Sequence, residues 1–165
     1  MNPQPPPSLA ASLLINKLLA VSLISGVGFF LLIAGFVTHK PMARAGSSPL
    51  EWVVVAMLAA ALALSPILAR VVATQALKQI SAGDVAAQDP VELGRRLLQV
   101  YQVRMLAELA PLEGASLVGA IVFFIQPSPV GLAVALTGMG AMALRFPTKA
   151  RVESWLADTV RALRG

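Results

Sequence analysis

Cysteine is absent from the 165 residues, and histidine occurs once. Without thiols the chain has no disulfide framework, no thiolate nucleophile and no cysteine-bound metal. The one histidine, His39, stands beside Lys40 in a loop-forming stretch and reads as a solvated side chain, not a ligand. Hydrolase elbows, a phosphate loop and a dinucleotide fingerprint are missing too. We therefore expect no enzyme, no catalytic residue, no metal and no cofactor. Charged residues make up 13% of the chain and aromatic residues 5%, and the basic residues flank the apolar runs instead of forming one soluble patch with stacking aromatics. That pattern argues against a nucleic-acid partner.

What fills the chain instead is apolar. Hydrophobic residues reach 57%, with a mean hydropathy of +0.77, far above soluble averages. A bilayer core of roughly 30 Å takes about 20 apolar residues as a helix, because each backbone N–H and C=O must be paired without water. The expected fold is an all-α membrane protein: four transmembrane helices arranged as two antiparallel hairpins, followed by a cytoplasmic amphipathic C-terminal helix. The spans are expected at about 18–37, 52–73, 105–125 and 130–146, within a transmembrane domain of 18–146. Residues 1–17, with the stretch "PQPPP", read as a partly disordered tail. The first span reads as retained, since no basic residue precedes it early, although Ala43-Arg44-Ala45 has a small-x-small form.

Local signals sharpen this plan. "THKPMARAGSSPLE" reads as an irregular loop, with Glu51 and Trp52 opening the second span. The second span is expected to extend through "TQALKQISAGD" and stop near Gly83. Asp89, Pro90 and Glu92 are spaced as a helix start, so the third helix is expected to begin near Pro90 and run as an extension over 90–104 into the membrane. "QPSP" at 126–129 reads as a tight hairpin connection. The fourth span is short, so Arg145 is expected to snorkel and the span to merge with the helix that follows. In that 147–165 helix, Val152, Trp155, Leu156, Val160 and Leu163 share a face. Lipid headgroup contacts are expected from Lys149, Arg151, Trp155, Arg161 and Arg164, with packing against the loop before the third span as the other reading. Small residues at helix-packing spacing, namely Ser22/Gly26, Ala59/Ala63, Ala115/Gly119 and Ala133/Thr137/Ala141, are expected to bring helices together within the chain or between subunits.

Basic residues orient the spans. With four crossings, eleven of the 13 Lys and Arg residues fall on one side and only Lys40 and Arg44 on the other. The excess marks the inner face of a bacterial inner membrane, with both termini cytoplasmic. The partners implied are membrane lipids and further copies of the chain or other membrane subunits.

The third span, "LAELAPLEGASLVGAIVFF", carries two glutamates and a proline. Arg104 is four residues before Glu108, a spacing that allows an ion pair. Glu113 lies about 18 Å in from Ile125 at the helical rise, near mid-membrane. An ionised acid facing lipid there is disfavoured, so the side chain is expected to turn toward other helices. By depth, Ser65 and Ser25 are its expected neighbours, with carbonyls freed by Pro66 and Pro111. Two readings stay open: Glu113 ties helices together as a protonated packing residue, or Glu113, Ser65 and Ser25 form a proton or cation site.

From Asp89 to Ile125 the "QDP" loop, Glu113 and Gly119 follow an order that resembles the rotor-ring proteolipids of rotary ATPases, which implies a proton-exchanging carboxylate. The long polar loop and the C-terminal helix depart from that family. Over most of the chain, "EGA" at 113–115 and "PTK" at 147–149 resemble uncharacterised bacterial four-span membrane proteins, which implies the architecture alone.

Overall fold

The computed structural model describes residues 9–37, 48–80 and 90–164, and all their regular structure is helical. Among the described residues there are five helices: α1 (Leu9–Val37), α2 (Pro49–Lys78), α3 (Pro90–Ile125), α4 (Pro129–Leu144) and α5 (Lys149–Arg164). The expectations for the "PQPPP" tail, His39, Lys40, Arg44, the stop near Gly83, Asp89 and the Arg164 side chain lie outside the described residues.

Helix starts follow the turn chemistry. Ser48 caps α2, its hydroxyl accepting from the Leu50 N–H, with Pro49 in the first turn. Ser128 caps α4 in the same manner, accepting from the N–H groups of Val130 and Gly131 at 3.2 and 3.3 Å, again with proline next. α3 begins at Pro90 as expected, and the Glu92 carboxylate accepts from Arg95 and Arg96 one turn on. α1 starts at Leu9, so residues 9–17, expected in the tail, are helical.

α1, α2 and α3 are each long and apolar enough to cross a membrane. α4 is not: its 16 residues rise about 24 Å, short of a roughly 30 Å core. α4 and α5 pass only when taken together, and they are bent by 61° across residues 145–148. The expected merger of the fourth span with the last helix is therefore corrected. Pro147 has no N–H to continue a helix and biases Phe146 away from helical backbone, and the chain turns there.

α3 is the centre of the bundle, in contact with each of the other described helices. Across α3 and α4 the facing pairs are Phe123/Gly131, Gly119/Ala135 and Ser116/Gly138, a register that makes them an antiparallel hairpin. Contacts joining Glu51 to Ser128 and Ser65 to Arg145 run α2 parallel to α4. Phe30 meets Phe124 edge-on at 6.3 Å, while Asn16 lines a pocket with Arg95 and Gln99, so α1 runs parallel to α3. The expected first hairpin is not a packed pair, because α1 and α2 each rest on α3 and α4 and make little contact with one another.

The faces that point inward are defined by size. α1 buries Leu13, Asn16, Ala20, Val27 and Ala34, and α2 buries Glu51, Val54, Leu58, Ala61, Ser65, Ala69 and Ala73. The α2 series steps by three or four residues and the α1 series by three, four or seven, so each lies along one helical stripe. Of the expected small-residue stripes, only Ala115/Gly119 packs in full; Ser22, Gly26, Ala59, Ala63, Ala133 and Thr137 face outward. At the real α3–α4 contact the backbones touch: a methyl placed on Gly131 would stand 2.8 Å from both the Gly119 carbonyl oxygen and the Phe123 nitrogen. Glycine there lets dispersion forces act between main chains, as in lipid-embedded helix pairs.

α5 is amphipathic, and its apolar face is satisfied by protein. Val152 is fully buried, and Trp155, Leu156, Val160 and Leu163 pack on a cluster of Ala73, Ile80, Leu93, Leu97 and Val100 from the ends of α2 and α3. This is close to the second reading for that helix, the described partners being the ends of α2 and α3.

Candidate functional site

Glu113 and its two expected partners are not assembled. Ser25 is exposed on the outer face of α1. Ser65 is fully buried, but its hydroxyl accepts a hydrogen bond from Arg145 Nη1. Glu113 is half-buried, on the α3 face that also carries the exposed Ala110 and Gly114, and among the described residues it has no hydrogen-bond or ion-pair partner. The depth count fails for Ser65 because Arg145 places it level with Glu108, more than a turn from Glu113.

The chain's polar chemistry gathers around Arg145 instead. This residue ends α4, and its guanidinium reaches Ser65 on α2 with one nitrogen while Nε stands 3.5 Å from Glu108 Oε1 on α3. One side chain thus joins three helices. Both members of the ion pair are about three-quarters covered, where charge-assisted contacts weaken less in salt than surface pairs do. The expected Arg104–Glu108 pair is corrected accordingly. Arg104 turns over the Trp155 ring, 5.7 Å from its centroid, and Trp155 in turn leans on Tyr101 at 5.4 Å. That stack is a cation–π contact backed by an aromatic pair, and it fixes α5 to α3.

Between these groups lies a polar pocket of about 390 Å³, lined by Tyr101, Arg104, Glu108, Arg145, Arg151 and Trp155 among others. Arg151 is held at its edge by donating to the carbonyls of Leu144 and Phe146, at 3.2 and 3.4 Å, where it also complements the negative end of α4. The other headgroup candidates are surface residues: Lys149 stands 3.6 Å from Glu153, and Arg161 3.7 Å from Asp158. Sequence reasoning missed Arg145 as the organiser. A basic residue ending a short apolar helix was its only signal.

At the opposite end of the bundle a second tie is buried. Glu51, 2% exposed, accepts a hydrogen bond from the Ser128 hydroxyl, linking the start of α2 to the start of α4. At the beginning of α3, far ahead of its apolar stretch, the hydrogen bonds from Arg95 hold the Glu92 carboxyl below its usual value. Burial pushes the other way, and Arg96 adds to the lowering. Among the described residues no cluster of three or more metal-type side chains occurs.

Comparison with protein-family models, curated proteins and solved structures finds no match to this chain.

Proposed function

We propose that this protein is a non-catalytic structural or accessory subunit of a membrane assembly, built with further copies of itself or with other membrane subunits. It sits in a bacterial inner membrane with both termini cytoplasmic, and the short α4 makes the fourth crossing through local thinning of the bilayer. The observation that carries this reading is Glu113. An acid such as aspartate at the centre of a spanning helix costs about 2.5–3.5 kcal/mol on insertion scales, and such groups are ordinarily turned to protein or water. Within this chain Glu113 keeps part of its surface exposed and has no polar partner among the described residues. A neighbouring subunit's helix supplies the missing cover and hydrogen bond. The proton- or cation-coupled alternative keeps Glu113 at its centre but draws no support from Ser25 or Ser65.

The mass of the protein in mild detergent tests the reading. A 17.2 kDa chain that runs as part of a larger stoichiometric species, and that loosens from it in Glu113→Leu, is the expected result. A wild-type protein that is strictly monomeric and co-purifies with no other membrane protein contradicts it.

A further inference from the structure

The pocket between α3 and α5 holds more positive charge than it neutralises. Arg145 is answered by Glu108, and Asp158 at the rim leans toward Arg161. Arg104 and Arg151 line the same pocket and form no ion pair among the described residues. Arg104 spends its charge on the Trp155 ring face, which leaves its N–H fork available, and Arg151 commits only Nη1 to carbonyls. A guanidinium fork is the side chain best matched to the oxygens of a phosphate.

We propose that this pocket binds a phosphate group, and that the phosphodiester of an anionic phospholipid headgroup is its source. The volume of about 390 Å³ accommodates a headgroup and lies in the range of small-ligand sites. Trp155 and Tyr101 are the amphipathic aromatics that favour headgroup level. Leu144, whose carbonyl Arg151 holds, is 80% exposed, so apolar surface for acyl chains adjoins the charged pocket. The site is distinct from a helix resting on the bilayer, since the apolar face of α5 is already packed on α2 and α3.

Native mass spectrometry of the full chain, titrated with phosphatidylglycerol, phosphatidylcholine or inorganic phosphate, tests the proposal. Phosphatidylglycerol is expected to bind at least about tenfold more tightly than phosphatidylcholine, and R104Q/R151Q to lose about tenfold or more, the scale of one or two charge-assisted hydrogen bonds. K17Q, at an exposed position of α1 outside the pocket, is expected to bind as wild type does. Ser154→Asp, which adds a negative charge to the pocket lining and leaves both arginines in place, is expected to weaken binding even if the double variant folds poorly. Inorganic phosphate that binds with the same dependence on Arg104 and Arg151, without any preference between the lipids, keeps the phosphate site and overturns the lipid source. Phosphatidylglycerol affinity unchanged in both R104Q/R151Q and Ser154→Asp overturns the site itself.

Discussion

Arg145, the residue that ends α4, points back along the bundle to Glu108 of α3, with Nε 3.5 Å from Oε1. Because the same guanidinium also donates to Ser65 of α2, the contact is a three-helix clasp placed where α3 and α4 leave their apolar register. Truncation of either partner leaves the other partly buried and unanswered.

Arg145→Gln is therefore expected to destabilise the protein by about 1–3 kcal/mol, the cost of an unsatisfied group at a charged hydrogen bond. Glu108→Gln should cost less, since an acceptor oxygen remains. The double variant should lose less than the sum, with a coupling of about 0.5 kcal/mol or more in detergent unfolding. Strict additivity would mean that the two residues do not interact in solution.

Gly131→Ala forces a methyl against main-chain atoms of α3, which cannot rotate away as a side chain could. A loss of about 1–3 kcal/mol is expected from overpacking. Gly140→Ala, whose methyl would meet nothing within 4 Å, is the control and should be neutral or stabilising by up to about 1 kcal/mol. Equal melting temperatures for the two variants would contradict the close backbone approach.

Asn16 is 1% exposed, and among the described residues its Oδ1 has no hydrogen-bond partner. Replacement by leucine, which keeps the branching at Cγ, removes a polar atom whose burial costs about 1–3 kcal/mol. Thermal unfolding of Asn16→Leu is expected at higher temperature than wild type, and a lower one would count against the burial of this side chain.

Glu92 gives a pH dependence at the start of α3. Its carboxyl is lowered in the folded state, chiefly by Arg95, so its stabilising contribution is present above the unfolded value and is lost as pH falls through the folded one. Amide exchange in residues 90–96 should accelerate on acidification below the usual carboxylate range, and Glu92→Gln should abolish that acceleration.

The sequence makes helix ends legible because they are written in local chemistry: Pro90 opens α3, and Ser128 with Pro129 opens α4. Facing is much harder to read. In α1 the outward Phe29 and Phe36 are as apolar as the inward Val27 and Ala34, since lipid as a solvent removes the polarity difference that marks a core face in water. Ser25 was misplaced for that reason. Glu108 found Arg145 across 37 positions and not Arg104 four positions away, because Arg104 had a ring to cover in α5. Contacts set by tertiary approach leave no spacing signal in one chain.

Cross-linking through position 113 tests the central claim most directly. The chain has no native cysteine, so Glu113→Cys is a single-thiol probe in native membranes. A cross-link to a second copy or to another membrane protein, with shielding from lipid-phase quenchers when a fluorophore is attached there, is the predicted result. A thiol that cross-links to nothing and whose attached fluorophore is quenched freely from the acyl-chain region would contradict the account.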